Sequence, residues 1–298
     1  MYSGLLIVLI PLIVGYLLPK NAALISVVNK ALSWMVYIIL FFMGISLAFL
    51  DNLAHNLLSI VQYCLVSAVC ILLCNLLALR LLEKRRPWQH NHRQQGLPSR
   101  LHMALESLKL CGVVAAGFVI GLSHWALLAY ASTASEYALL FLLFLVGVQL
   151  RGSGMTLKQI VLNRRGMIVA FIVFISALAG GAVAALMLNL PLRTGLAMAS
   201  GFGWYSLSGI MMGGAFGPVI GSAAFFNDLL RELIAIMFIP ALISQHRSTA
   251  LGLCGATSMD FTLPVLQRSG GMEIVPAAIV HGFILSLLAP VLIAFFSA

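Results

Sequence analysis

Apolar stretches of about 17 to 25 residues recur along this chain, and a helix of that length crosses the hydrocarbon core of a bilayer. About ten such segments lie between residues 3 and 296, joined by short connections. Of the 298 residues, 62% are hydrophobic and 8% are charged, and no segment has the polarity and length of a separate soluble domain. We predict an all-α polytopic membrane protein whose chemistry lies in the membrane or at its faces.

Basic residues concentrate in residues 83–100, in residues 151–165 and at Lys20 and Lys30. Lys and Arg favour cytoplasmic loops, so this pattern predicts that these connections face the cytoplasm and that the N-terminus lies outside. The formal net charge of +9 is then a sign of membrane orientation, and no nucleic-acid partner is expected. The expected partner of the apolar surface is the lipid bilayer.

Two of the segments are poor sequences for an uninterrupted helix in lipid. The stretch at residues 199–218, which overlaps the segment at 194–213, contains six glycines, and the segment at 249–268 contains Asp260 and Pro264. A membrane helix can be interrupted only where protein or a water-filled cavity satisfies its backbone, so we predict discontinuous or re-entrant segments that enter from opposite faces. About eight full spans plus these two segments fit the charge pattern. Ten full spans are the alternative, and they would place Arg247 on the outer face.

Short motifs repeat between the first and second groups of three spans. The sequence FFMGISL at residues 41–47 matches FLVGVQL at residues 144–150, and each ends the second span of its group. Because three spans reverse the direction of the chain, the copies must be inverted, as in many secondary transporters. The predicted organisation is a three-helix repeat at 1–82, a basic cytoplasmic loop at 83–102, the inverted three-helix repeat at 103–190 and a core at 191–298. That core contains the two broken segments and full spans at 217–243 and 272–296.

Three charged residues, Asp228, Arg231 and Glu232, interrupt the span at 217–243. A charged side chain in the middle of a membrane costs at least about 2.5 to 3.5 kcal/mol, so each must face protein or water and find a partner. Asp228 and Arg231 stand three residues apart and could neutralise each other on one helix face. That pairing leaves Glu232, which we interpret as a functional carboxylate.

Further polar residues lie in or beside the apolar segments. Asp51 follows the second span, either as a helix-end carboxylate at the interface or as part of a substrate path. His281 on the last span is either a hydrogen-bonded interior histidine or a proton relay. Asp260 and the hydroxyls around it suit an ammonium or a sodium ion, although Asp260 could instead form a turn.

The residues that could line a substrate path belong mainly to the two broken segments, where glycines and hydroxyls offer polar groups. Trp204 and Tyr205 could pack on an aliphatic stem or contact a cation, or they could belong to an interfacial aromatic belt. The candidate path residues are Gly201, Trp204, Tyr205, Ser206, Ser208, Gly255, Thr257, Ser258, Thr262 and His281.

The sequence contains no P-loop, HExxH or GxSxG motif. Its five cysteines fall in apolar runs without CxxC or Cys/His spacing, so neither a disulfide nor a zinc site is predicted. We therefore expect no metal and no cofactor, with an ion gradient as the energy source. A membrane enzyme is the competing class, with Asp228, Asp260 and His281 as a conceivable acid/base set, but nothing in the sequence fixes their mutual geometry.

Five stretches spread along the whole chain resemble one family. They are FFMGISLAFLDNLA, MTLKQIVLNRRGMIVA, ASGFGWYSLSGI, FGPVIGSAAFFNDLLRELIAIM and RSTALGLCGATSMDFTLPVLQRSGG. On these motifs the chain resembles the lysine exporter LysO family of enteric bacterial inner membranes. The resemblance implies export of L-lysine, eight spans with both termini in the periplasm, and dependence on two intramembrane acidic residues, which fall on Asp51 and Glu232.

Lysine carries two ammonium groups and one carboxylate, and the candidate residues offer partners for both kinds of charge. Glu232 and Asp51, with Asp260, would bind the ammonium groups, while Arg231 or the half-helix ends in the broken segments would bind the carboxylate. Exchange for a proton removes the cost of moving one positive charge outward, about 2.3 kcal/mol per 100 mV. We therefore predict lysine/proton antiport. The alternatives are sodium coupling through Asp260 and a cation/proton antiporter without an amino-acid substrate, and the oligomeric state stays open.

The charge pattern predicts the orientation of the chain in the membrane. On a cysteine-free background, single cysteines at Tyr2, Asn189 and Ser297 are expected to react with an impermeant maleimide added to intact cells, because these positions lie outside. A cysteine at Gln94, in the basic loop, is expected to react only after the membrane is permeabilised. Labelling at Gln94 in intact cells would contradict the predicted orientation.

Overall fold

The computed structural model describes residues 10–11, 13–18, 22–49, 53–88, 100–152, 163–259 and 261–298. These residues form helices joined by short turns, with no β-strand among them. Numbered in chain order, the α-helices are α1 (Ala22–Ala48), α2 (Leu53–Arg85), α3 (Arg100–Gly121), α4 (Ala131–Gly152), α5 (Arg164–Leu188), α6 (Leu192–Ala199), α7 (Tyr205–Phe216), α8 (Pro218–Leu242), α9 (Arg247–Cys254), α10 (Leu263–Gly270) and α11 (Val275–Ser297). Short 3-10 helical turns lie at Ala126–Tyr130, Gly255–Met259 and Met272–Ile274.

Within this described part of the chain, three helices are long and apolar enough to cross a membrane: Asn56–Arg85 within α2, α5 and α11. Large apolar side chains such as Leu73 on α2 and Phe171 on α5 are more than half exposed, as expected for surfaces that contact lipid. Helix α8 has 25 residues and is also long enough, but it carries three charged residues. The predicted all-α, multi-pass membrane fold is confirmed, whereas the count of about eight spans and the inverted repeat stay predictions.

Helix α1 packs against α3 and α4, and glycines permit the close approach. A Cβ added at Gly117 of α3 would collide with the carbonyl oxygen of Phe41 on α1. A Cβ added at Gly15 would collide in the same way with the carbonyl oxygen of Phe144 on α4. Helices associate in lipid largely through such contacts between small residues and a neighbouring backbone. A glycine from the other group of three predicted spans thus packs against each of the matching motifs, FFMGISL and FLVGVQL.

A second group of helices surrounds α8. Helix α8 contacts α2, α7 and α9, while α11 contacts α5, α6 and the turn Gly255–Met259. Helices α5 and α6 approach each other through Gly181 and Gly195, because a Cβ on either residue would collide with the carbonyl oxygen of the other. All three charged side chains of α8 are therefore buried within protein.

Two segments of the core are interrupted. In the first, residues 200–204 separate α6 from α7, and Phe202 and Gly203 have φ angles of 51° and 94°. In the second, α9 ends and Gly255 turns the chain with a φ of 61°. Glycine adopts positive φ without the clash that a Cβ creates, so the two glycines permit the chain to turn within the helical segment.

The pieces of the second segment are too short to cross a bilayer alone. Helices α9 and α10 have eight residues each, which gives a length of about 12 Å against about 30 Å of hydrocarbon. The helices extend slightly beyond the predicted segments 194–213 and 249–268, since α6 begins at Leu192 and α10 ends at Gly270. Helix α2 likewise continues to Arg85, so Glu83 is helical and not part of the predicted loop 83–102. That these segments re-enter the membrane, and do not cross it fully, stays a prediction.

Candidate functional site

The two interruptions contact each other directly. The carbonyl oxygen of Phe202, in the first interruption, accepts a hydrogen bond from the backbone N–H of Ala256 in the second at 2.9 Å. A Cβ added at Gly255 would collide with that same carbonyl oxygen. We call this contact between residues 200–204 and 255–259 the crossing. Its close backbone approach requires a residue without a side chain at Gly255.

Asp228 of α8 supports the first interruption. Its carboxylate accepts hydrogen bonds from the Ser208 hydroxyl at 2.6 Å, the Gly203 backbone N–H at 3.1 Å and the Asn227 side-chain amide at 3.1 Å. Gly201 also lies against this carboxylate, because a Cβ there would collide with Oδ2. A negative charge beside the start of α7 is favourable, since helix N-termini present unpaired N–H groups and a positive dipole end.

Arg231 of α8 supports the second interruption. Its Nε donates to the carbonyl oxygen of Leu253 at 3.0 Å, and its Nη2 donates to that of Gly252 at 2.8 Å. These carbonyls belong to the last turn of α9, where carbonyl oxygens have no N–H donors within the helix and the helix dipole has its negative end. The side chain also lies 3.4 Å from the position that a Cβ would take at Gly203. Asp228 and Arg231 therefore bind different interruptions, which differs from the local pair that their spacing suggested.

Glu232 follows Arg231 on α8 and is 1% exposed. Its neighbour Arg231 binds the last carbonyls of α9. Glu232 is thus on the protein-facing side of α8, next to the second interruption. A carboxylate enclosed in this way is shielded from lipid and placed among polar groups, as a charged residue in a membrane requires.

His281 of α11 is fully buried beside the second interruption. Its Nδ1 is 3.0 Å from the hydroxyl oxygen of Ser258, and that hydroxyl donates to the carbonyl of Ala278 at 2.8 Å. Because the Ser258 proton is used by Ala278, the network assigns the shared proton to Nδ1 of the histidine. Nε2 then carries a lone pair, and no hydrogen-bond partner lies within reach of it among the residues that the structure describes.

The other hydroxyls of the second interruption bind its own backbone. Thr257 donates to the carbonyl of Cys254 at 2.8 Å, and Thr262 donates to the carbonyl of Thr257 at 3.0 Å. These bonds hold the turn between α9 and α10 in shape and leave lone pairs on both hydroxyl oxygens. Asp260, which the sequence groups with them, lies outside the described residues.

Aromatic and hydroxyl side chains at the end of the first interruption and in the first turn of α7 are buried or half-buried. Tyr205 is 3% exposed and its ring lies edge-on to that of Phe225, with centroids 5.8 Å apart. Trp204 is half-buried and precedes α7 directly, and Ser206 is buried in the first turn. The buried position of Tyr205 differs from that of an interfacial aromatic belt.

The structure brings most of the predicted site residues to the crossing. Gly201 and Ser208 meet Asp228, while Gly255 lies close to Arg231. Asp51 lies outside the described residues, so its predicted role stays a prediction. Sequence reasoning missed Phe202 and Asn227, because a carbonyl acceptor and a neighbouring amide carry no motif. It also missed Glu83, which contacts α9 from the end of α2.

The chain is similar to proteins of one family. The family model described as lysine exporter LysO matches residues 111–297. The chain is 71% identical to the protein named lysine exporter LysO from Escherichia coli strain K12, over all of both chains. It is 44% identical to a candidate lysine exporter of Haemophilus influenzae over 190 residues, which covers 64% of this chain and 97% of the relative. No solved structure matches the chain.

From the close contacts at the crossing we expect that alanine in place of its glycines destabilises the protein. Gly201→Ala and Gly255→Ala each force a methyl group against an oxygen atom, and the backbone of Gly255, with φ 61° and ψ -139°, adds about 1 to 3 kcal/mol of strain for any other residue. We expect both variants to melt several degrees lower than the parent protein in detergent. Gly112→Ala is the matched control, because a Cβ there meets no atom within 4 Å. Equal melting temperatures for all three variants would contradict the contact geometry.

Arg231→Lys tests the two hydrogen bonds to the end of α9. A single ammonium group cannot reproduce the planar fork of a guanidinium, and an unsatisfied buried carbonyl costs about 1 to 3 kcal/mol. We therefore expect a lower melting temperature in detergent. Arg164→Lys, at an exposed position of α5, is expected to melt like the parent protein. A fully stable Arg231→Lys variant would mean that the fork does not hold α9.

Proposed function

Because this chain belongs to the lysine exporter LysO family, we propose that it exports L-lysine across the bacterial inner membrane in exchange for protons. The observation that carries this proposal is the 71% identity to the E. coli lysine exporter over the full length of both chains. The three apolar membrane helices and the buried polar crossing support transport as the activity. We also propose the orientation that the basic loops indicate, with both termini in the periplasm.

Glu232 is the proposed carboxylate that exchanges lysine for a proton. Asp228 and Arg231 are engaged by the two interruptions, which supports a structural role for them and leaves Glu232 as the third charge of α8. Its burial beside the crossing supports a site that excludes bulk water. In such a site a carboxylate can be neutralised either by a substrate ammonium group or by a proton, and occupation by one excludes the other.

This exclusion gives antiport directly. Lysine has a net charge of +1, and moving it outward against an inside-negative potential costs about 2.3 kcal/mol per 100 mV. A proton that enters for each lysine cancels the charge movement, so the potential no longer opposes export. The proton returns the carboxylate to its neutral form after lysine has left. At each stage of this cycle the buried carboxylate is therefore neutralised either by lysine or by a proton.

Other polar groups near the crossing support a substrate path. The buried Nε2 lone pair of His281 can accept a hydrogen bond from an ammonium group. The lone pairs on the Thr257 and Thr262 hydroxyls offer similar acceptors beside the second interruption. Asp51, nearer the outer face by the predicted topology, is the proposed second carboxylate on the exit side. Asp260 is the proposed site for sodium if sodium replaces the proton.

Glu232→Gln tests the exchange mechanism. The amide keeps the size of the side chain but cannot bind and release a proton at physiological pH, so lysine counterflow and lysine-driven proton movement should both fall to the level of empty liposomes. Asp51→Asn should also abolish exchange, whereas Asp51→Glu, which keeps the charge, should retain part of it. The measurement is lysine counterflow in proteoliposomes, with pH and sodium gradients imposed separately.

Glu273→Gln is the matched control, because Glu273 is exposed on the turn before α11 and the chemical change is the same. This variant is expected to exchange lysine at the parent rate. Wild-type exchange by both Glu232→Gln and Asp51→Asn would refute the carboxylate mechanism. Exchange driven by a sodium gradient alone would support the sodium alternative, and proton exchange without competition from lysine would contradict lysine as the substrate.

A further inference from the structure

The N-terminus of α9 is capped by a residue from another helix. The N-cap residue of α9, His246, makes no side-chain capping bond of its own. Glu83, near the end of α2, instead accepts hydrogen bonds on Oε1 from the backbone N–H groups of Ser248 at 2.6 Å and Thr249 at 3.2 Å. Its Oε2 accepts from the Thr249 hydroxyl at 2.9 Å and contacts His246 Nδ1 at 3.0 Å. We call Glu83 with these three residues the clasp.

The clasp is enclosed by neighbouring side chains. The Glu83 side chain is 8% exposed. Arg165, from the first turn of α5, donates to the Ser248 hydroxyl at 2.7 Å and to the Arg86 carbonyl at 2.7 Å. Its guanidinium lies over the ring of Trp88, 5.3 Å from the centroid. Three helices, α2, α5 and α9, are thus joined at this end of the molecule.

Charges of complementary sign hold α9 at both ends. Glu83 meets the positive N-terminal end, and Arg231 meets the last carbonyls at the negative C-terminal end. Helix α9 has only eight residues, a length of about 12 Å, so it behaves as one short rigid piece. A displacement at the clasp therefore moves the carbonyls that Arg231 binds, and with them the crossing.

We propose that Glu83 is a positioning residue for transport, which acts through α9 to keep the second interruption in register with Arg231 and the crossing. Glu83 does not contact the substrate in this role. Only the expected effect of Glu83 on the transport rate rests on the proposed lysine transport. The mechanical part, that Glu83 holds α9 in place, can be measured without any substrate.

Cys254 reports the position of α9. It is the last residue of the helix and is 1% exposed, so its thiol should react slowly with N-ethylmaleimide while α9 is held. On a background in which Cys64, Cys70, Cys74 and Cys111 are replaced by alanine, Glu83→Ala should raise the labelling rate about ten-fold, equivalent to about 1.4 kcal/mol. Glu83→Gln should raise the labelling rate less, because the amide oxygen can still accept the hydrogen bonds from the backbone N–H groups of Ser248 and Thr249.

Controls separate positioning from a general loss of structure. Lys84→Gln changes an exposed charge next to Glu83 and should leave Cys254 labelling at the parent rate. Thr249→Val removes one hydroxyl bond while both backbone N–H bonds remain, so it should raise labelling modestly even if Glu83→Ala fails to fold. Labelling at the parent rate in Glu83→Gln and Thr249→Val would overturn the proposal.

Transport kinetics supply the second readout. In proteoliposomes that contain equal amounts of folded protein, Glu83→Gln should lower the maximal rate of lysine exchange several-fold and change KM by less than about two-fold, since Glu83 touches no substrate. A variant with reduced protein amount but normal rate per molecule would show a purely structural role and overturn the proposal. Failure of the parent protein to exchange lysine would refute the proposed function, while the Cys254 result would still decide whether Glu83 holds α9.

Discussion

The two interrupted segments cross in the buried interior, so the backbone groups released at each interruption need partners within the protein. At the first interruption these groups are N–H donors, and Asp228 accepts from one of them. At the second they are carbonyl acceptors, and Arg231 donates to two of them. Each charge matches the dipole end that it meets, so the cost of burying two charged side chains is offset by the groups that the interruptions expose.

One helix supplies both partners, and this joins the two interruptions mechanically. Asp228 and Arg231 stand three residues apart on α8, which separates them by about 4.5 Å along the helix axis. The hydrogen bond between Phe202 and Ala256 links the interruptions at nearly the same place. A shift of either segment therefore changes the contacts of the other. Glu232, one residue further along α8, is buried beside these two side chains.

The packing outside the core follows from small residues. Gly15 lies against the backbone at Phe144, and Gly117 lies against the backbone at Phe41. In both cases a helix from one group of three predicted spans meets the matching motif of the other group. Two related groups of helices that pack against each other would each place a glycine against the matching motif of the other group. The similarity of the motifs could be recognised in the sequence, but the partner of each glycine could not, since any small residue permits close approach to many backbones.

The sequence by itself determined that this chain lies in a membrane and where its core helices are interrupted, because hydropathy and glycine content are properties of local composition. It also singled out the three charges of α8, since a charge in an apolar run needs a partner. Only the tertiary structure decided what those partners are. Spacing allowed Asp228 to pair with Arg231, yet each binds a different segment, and Glu83 binds residues 163 to 166 positions away. The preference of a residue for lipid or water depends on its own side chain. A hydrogen bond, in contrast, depends on which distant groups the packing of the chain brings within about 3 Å of each other.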